Sequence, residues 1–384
     1  MKKNLLKSLT RVFDRFRVIA VRTHDFIFHA DEVSATAVML ALMSRGKWET
    51  PLPGRKGQKS ISRVDCTEND IQFQCDGHRL KVLRTRDEEA CKKFQKEHEG
   101  YMYAVLDVGG KYEFEDEDII RLDHHQADFE LTQTIGEHEI SYSSFGLTWG
   151  HLGMATLEAI YASQLCGLLD SNLSLDEIKE NAPETYSRLE DIHEIVRNRL
   201  VAFVDGVDSG TWPFPADRAY SYPHLISSLN PDDPSDAKAS NEAFCKAVLI
   251  AYDNLMSVIE QSRKRVETQD ILRAKLKETE GSIMILDEHV HWQADLPKID
   301  SEGRILYVVY PGNTDEWMVQ AVPVEAGSFE NRKPLPEEWA GHRDKALANI
   351  TGVEGAIFCH VGRFIGGARS RRGARELAEL AASS

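Results

Sequence analysis

Arg121-Leu122-Asp123-His124-His125-Gln126 follows the apolar, β-branched pair Ile119-Ile120. An aspartate with two adjacent histidines at the end of such a run suits a polar site and little else. Neighbouring side chains on an extended backbone point in opposite directions, so one imidazole can face a metal while the other faces a substrate. Short motifs of this kind also occur in surface loops, and the weight of this one comes from its companions. Thr23-His24-Asp25-Phe26-Ile27-Phe28-His29-Ala30-Asp31-Glu32 lies upstream, Leu106-Asp107-Val108-Gly109-Gly110 lies between, and Asp205-Gly206-Val207-Asp208-Ser209-Gly210 follows. Four acid and histidine clusters, at least three of them closing apolar runs, read as one metal centre drawn from distant segments.

The 384 residues have length for about two domains with real cores, and 42% hydrophobic with 28% charged residues is a soluble globular composition. No apolar run approaches the roughly 18–20 residues that span a membrane. A net charge of −16 excludes a general nucleic-acid glue. Any contact with a polyanion must use a local basic patch or bound divalent metals that reverse the field. Six scattered cysteines without a Cys-x-x-Cys pair fit a reducing compartment. The basic, amphipathic segment Met1 to Arg17 lacks the apolar stretch of a secretory signal. The expected location is cytoplasmic, with no membrane contact.

Val18-Ile19-Ala20-Val21 reads as a buried strand ending at Thr23-His24, and the apolar stretch from Glu32 to Met43 as a buried helix. Strand, ligand-rich loop and buried helix open a doubly wound α/β unit, in which ligands gather at the carboxyl ends of strands. Residues 48–80 form an excursion with a hairpin around Asp76-Gly77, expected to be an inserted surface hairpin without chemistry. Arg84 to Gly100 reads as helical. Tyr103-Ala104-Val105-Leu106 is the next buried strand and delivers Asp107. A long apolar helix opens near Ser143-Ser144, either of which can cap it. Leu189, Ile192, Val196, Leu200, Phe203 and Val207 recur at helical spacing, so Asp205 and Asp208 sit three apart on one face. Asn230 to Ser240 reads as a linker and 241–277 as a long amphipathic helix. The expected architecture is α/β throughout. A doubly wound, mostly parallel sheet domain (1–215) carries the metals. A linker and connecting helix (216–280) leads to a second, smaller α/β domain (281–384).

Imidazole plus carboxylate suits manganese, zinc or iron better than calcium. His24, His29, Asp31, Asp107, His124, Asp205 and Asp208 are too many for one tetrahedral ion, which favours two metals sharing a carboxylate and activating a water. His125 is then left to contact a phosphate or protonate a leaving oxygen, with Asp123 its catalytic neighbour. Near the carboxyl terminus, Gly366-Gly367 flanked by Arg363 and Arg369, with His360 upstream and a helix following, matches a backbone nest that holds a phosphate. No Gly-x-Ser-x-Gly or Cys-His-Asn setting supports a serine or cysteine nucleophile.

As an ordered set these motifs, together with Ser143-Ser144-x-Gly146-Leu147 and Phe364-Ile365-Gly366-Gly367, resemble those of the melanocyte-proliferating-gene exonuclease family, a branch of the DHH phosphoesterase superfamily. The similarity runs from about Val18 to about Arg375 and takes in Arg84-Thr85-Arg86-Asp87, Asn331-Arg332 and Arg343-Asp344. It implies a metal-dependent, manganese-favouring 3′–5′ exonuclease acting on single-stranded RNA or short oligonucleotides, with magnesium, zinc or iron as other ions. It carries over His24, Asp31, Asp107, His124 and Asp208 as ligands, joined by His29, with His125 on the substrate phosphate. Asp25-Phe26 stands where the family usually has Asn-Gly, residues 48–80 are an insertion, and His24 and His29 are five apart where a His-Asp spacing of four is common in the superfamily. Superfamily relatives also hydrolyse pyrophosphate and cyclic dinucleotides, so a small-molecule phosphohydrolase is the second expectation, and a non-catalytic metal- or RNA-binding protein the third.

Overall fold

A computed structural model describes residues 18–45, 64–114, 119–165, 183–213 and 221–384. The basic amino-terminal segment, the first part of the 48–80 excursion (to 63) and Cys166 lie outside the described residues. The chain divides into two compact units, Met1–Ser262 and Arg263–Ser384. That division falls inside one long helix, and not at the boundaries near 215 and 281 that composition suggests.

The first unit is built on a seven-stranded sheet. Its strands are β1 (Val18–Thr23), β2 (Val64–Cys66), β3 (Ile71–Cys75), β4 (His78–Arg84), β5 (Met102–Leu106), β6 (Tyr112–Glu113) and β7 (Ile119–Leu122). Their order is β2-β3-β4-β1-β5-β7-β6. The four central strands β4, β1, β5 and β7 run parallel, with β2, β3 and β6 antiparallel at the margins. Ile19, Ala20 and Val21 are buried, as are Met102 to Leu106, the continuous apolar signature of strands covered on both faces.

The 71–84 hairpin turns at Asp76 and Gly77, both at positive φ. It is no surface appendage: β4 pairs with β1 along its length and Ile71, Phe73, Leu80 and Val82 are wholly buried. The expectation of an independent insertion fails because hairpin chemistry fixes the local turn and says nothing about which sheet edge the hairpin joins.

Helix α1 (Ala30–Ser44) is buried on every side, its polar residues included, as a helix apolar all round must be. The segment between Arg84 and Gly100 ends β4, turns, and forms α2 (Glu88–Glu97), capped by Asp87. A two-stranded hairpin, β8 (Thr132–Ile135) and β9 (His138–Ser141), precedes α3 (Ser144–Leu165). Helix α4 (Pro183–Val196) continues through a π-helical stretch, Arg197–Val201, into α5 (Ala202–Asp208). After α6 (Tyr222–Ser227) comes α7 (Ala237–Glu278).

The Asn230–Ser240 stretch is an anchor and not a free linker. Asn230 exchanges two 2.9 Å hydrogen bonds with the backbone of Phe28. The guanidinium of Arg84 donates to Phe26 O and to both oxygens of Ser240, and lies against the rings of Phe28 and Phe244. Burial, opposed by Glu32 and Asp25, lowers its pKa to about 10, so the side chain stays charged and holds the 24–29 loop.

The second unit has a five-stranded sheet ordered β10-β11-β12-β14-β13, from β10 (Ile283–Ile285), β11 (Tyr307–Pro311), β12 (Trp317–Ala321), β13 (Ala356–Cys359) and β14 (Ile365–Ala368). One face packs on α8 (Asp344–Thr351) and α9 (Arg371–Ser383) through Val319, Ala321, Leu347, Leu377 and Ala378. The other, through Met284, Val308 and Tyr310, packs on Leu272, Trp292 and Leu296.

The carboxyl-terminal expectation needs correcting here. Gly366 and Gly367 lie within β14, flanked by β12 and β13, with neither at positive φ. They form no nest, because a nest needs successive amides turned outward. A Cβ on Gly366 would meet Phe358 O at 3.0 Å, and one on Gly367 would meet the Phe358 ring at 2.9 Å. Close strand packing explains both glycines. Arg369 and His360 are exposed and Arg363 half-buried at the ends of this strand, and α9 is capped by Ser370.

Candidate metal centre

Three parallel strands end side by side and each delivers a ligand type. Thr23 closes β1 and is followed by His24, Leu106 closes β5 and is followed by Asp107, and Leu122 closes β7 and is followed by Asp123-His124-His125. Asp107 sits at φ 55°, a left-handed turn an aspartate tolerates better than most residues. The first turn of α1 contributes Asp31 and Glu32, with His29 at its cap, and the end of α5 contributes Asp208.

The side chains converge. His24 Nε2 lies 3.0 Å from Glu32 Oε1 and 3.3 Å from Asp107 Oδ2. His124 Nε2 lies 3.3 Å from both Asp107 Oδ1 and Asp208 Oδ2. His24 Nδ1 donates to Asp25 O at 2.9 Å, which points Nε2 at the cluster. Three overlapping groups have their ligand atoms within 4.8 Å of one another: His24, His29, Glu32 and Asp107; Asp107, His124 and His125; and His29, Asp31 and Asp208. Asp107 and His29 are each shared by two groups.

The electrostatics identify what belongs there. Among the described residues, both carboxylate oxygens of Asp31, Asp107 Oδ1 and His124 Nε2 are buried without a hydrogen-bond partner, a costly state for polar atoms. Burial and the neighbouring carboxylates of Asp107, Asp208 and Glu32 push the Asp31 carboxyl well above its ordinary range. Burial and Asp107 push Asp208 up as well. Burial lowers the pKa of His24, but Asp107 and Glu32 overcome it and raise the group to about 10. Burial likewise disfavours the Asp107 anion, yet His124 and His24 hold its carboxyl below the usual range. Crowded carboxylates and imidazole lone pairs with orphaned oxygens fit a divalent metal.

The structure thus brings His24, His29, Asp31, Asp107, His124 and Asp208 together, with Glu32 among them. Glu32 escapes a reading of the sequence because it opens a long apolar helix. Its signal is the same fact read differently: a carboxylate that is fully buried in such a helix needs a partner. Asp205 does not face the cluster. It accepts hydrogen bonds from Ser143 Oγ, Gly146 N and Gln133 Nε2, and a Cβ on Gly146 would collide with it. Burial, against those donors, raises its carboxyl to about 7. Asp123 is buried too, accepting from Gly110 N and from His125 N and Nδ1. Asp123 orients His125, whose side chain is 60% exposed on the rim of the cluster.

The sequence has known counterparts. The model of the MYG1 exonuclease family, described as "Uncharacterised protein family (UPF0160)", matches residues 20–382. The chain is 30% identical over 315 residues to the "MYG1 protein" of Dictyostelium discoideum, covering 77% of this chain and 85% of that one. It is 32% identical over 292 residues to "MYG1 protein C694.04c" of Schizosaccharomyces pombe, covering 72% and 83%. The "MYG1 exonuclease" of Homo sapiens is 27% identical over 361 residues, covering 87% and 89%. Among solved structures, RecJ of Thermus thermophilus in complex with Mn2+ matches at 10% identity and a TM-score of 0.26, over 100% of this chain and 55% of that one. A family model spanning nearly the whole sequence, with relatives similar over most of their length, places this chain in the MYG1 exonuclease family.

Proposed function

We propose that the protein is a metal-dependent phosphodiesterase, a 3′–5′ exoribonuclease that shortens single-stranded RNA or oligonucleotides with two manganese ions. The observation that carries this reading is the set of overlapping ligand groups that share Asp107 and His29. The relatives named exonucleases support the substrate class. Bound divalent ions would neutralise charge on the phosphate and lower the pKa of an attacking water.

The chain's own residues do the rest. In hydrolysis the water oxygen bonds to phosphorus as the bond to the leaving oxygen breaks, and that oxygen must gain a proton. With Nδ1 of His125 held by Asp123 at 2.8 Å, Nε2 is the nitrogen that meets the substrate; from the doubly protonated ring it gives its proton to the leaving oxygen, while Nδ1 keeps its own on Asp123. The hydrogen bond to buried Asp123 fixes which ring nitrogen faces outward.

The test is incubation of the purified protein with manganese and end-labelled RNA, DNA and pyrophosphate side by side. Progressive shortening of RNA from its 3′ end is expected. Hydrolysis of pyrophosphate alone would replace this reading with that of a small-molecule phosphohydrolase.

A further inference from the structure

Two cavities open on the same cluster, and they differ in chemistry. His29, Asp107 and His125 line both. The smaller, about 530 Å³, is bounded by Phe26, Ile27 and Arg86, with Arg86 paired to Asp25 at 2.7 Å. The larger, about 660 Å³, runs from His124 and Asp208 to a wall of Phe129, Tyr142, Val204 and Pro223. Ser141, His224 and Ser227 bring polar atoms to that wall.

A phosphate alone would use only the ligand cluster. A cavity of this size is in the range of about 300–1,000 Å³ that takes small organic ligands, and its wall is apolar where the cluster is charged. That division, charge at one end and apolar surface with scattered hydroxyls at the other, matches a nucleoside 5′-phosphate. Phe129 is the aromatic placed to meet the base. A turn closed by Phe129 N to Gln126 O sets it just beyond the His124-His125 pair. Its ring is fixed edge-to-face by His124 (6.2 Å, 81°) and by Tyr112 (6.3 Å, 83°), and Tyr112 OH is itself bonded to His151 Nε2 at 2.7 Å. A ring held by two others costs little entropy to stack on.

We propose that the larger cavity is a nucleoside pocket in which the terminal base lies against Phe129, making Phe129 a specificity-determining residue. The inference rests on the phosphodiesterase reading above and adds the moiety recognised. The scissile phosphate lies at the shared wall, the terminal nucleoside fills the larger cavity, and the remaining strand leaves through the smaller one past Arg86. His125, lining both, then stands beside the leaving oxygen.

The experiment is calorimetric binding of adenosine 5′-monophosphate and ribose 5-phosphate to the full manganese-loaded chain. The wild type should bind the nucleotide roughly 10- to 100-fold more tightly than the base-free sugar phosphate, the range of one base–aromatic stack. Phe129→Ala should lose that preference while its affinity for ribose 5-phosphate and its metal content stay constant, and Phe129→Trp should keep it. If Phe129→Ala does not fold, Phe129→Leu carries the same test. Equal binding of both ligands by the wild type overturns the proposal, as does a preference lost in Phe26→Ala and kept in Phe129→Ala. A protein that leaves RNA intact yet prefers the nucleotide through Phe129 keeps the pocket and loses the exoribonuclease reading.

Discussion

The carboxyl edge of the first sheet and the glycine strand of the second each carry a motif that reads as a binding site, and their physical situations are opposite. At the first, both oxygens of Asp31 are buried with no hydrogen-bond partner among the described residues, and Asp107 Oδ1 and His124 Nε2 face each other at 3.3 Å without one. At the second, Gly366 and Gly367 lie between paired strands with no unusual φ. Motif spacing does not distinguish a site from a scaffold here. Unmet hydrogen-bonding capacity does, because a fold keeps buried polar atoms unsatisfied only where something else completes them.

The strongest way to break that contrast is to remove the shared ligand. Asp107→Ala or His124→Ala should abolish hydrolysis and lower metal content by elemental analysis, with circular dichroism unchanged. Full metal with near-normal turnover in either variant would dissolve the site. His125→Ala sharpens the same edge: it should keep its metal and lose turnover by roughly 10²–10⁴-fold, the scale of one acid–base contact. Metal loss in His125→Ala with His124→Ala unaffected would exchange their roles.

On the other side of the comparison, Gly366→Ala and Gly367→Ala should cost about 1–3 kcal/mol through overpacking, read by denaturant melting, with metal content untouched. Unchanged stability with lost RNA binding would restore the glycines as a ligand surface.

A titration probes the crowding at the first edge. His24, raised from about 6.5 to about 10, contributes stability that is complete below its unfolded pKa and is lost as pH rises through its folded one. Asp31 and Asp208 are raised carboxyls, so their cost also grows as they ionise with rising pH. Chelator-treated protein should therefore melt at a lower temperature at pH 9 than at pH 6.5, and manganese should narrow the gap. An equal gap with and without metal would count against the cluster.

The smallest effect belongs to the exposed arginines. With calcium replacing manganese to suppress turnover, Arg369→Ala should weaken RNA binding and flatten its log–log salt dependence by about one unit. Identical slopes would leave Arg369 an ordinary surface cation.

Much of this is legible in the sequence. The apolar runs at Val18–Val21 and Tyr103–Leu106 end at His24 and Asp107 because buried parallel strands must surface at their carboxyl ends. The role of Asp205 is not legible. It lies three residues from Asp208 on one short helix, and helical spacing cannot tell which carboxylate faces the cluster and which meets the amides at the start of α3. Glu32 is hidden by its apolar helix. The 71–84 hairpin discloses its turn and conceals its parallel neighbour, which only long-range pairing decides.

Asn230 clasps Phe28 across 202 residues of chain. Closing a flexible loop that long costs roughly 5 kcal/mol on the (3/2)RT ln n scaling, and the ligands from His29 to Asp208 lie inside it, with His24 just ahead of its start. The centre therefore forms late, after distant parts of the chain have met, which places it among slow, high-contact-order events. Metal capture during refolding should keep time with this closure and lag behind helix formation, so the ion would act as a clock for the completed fold.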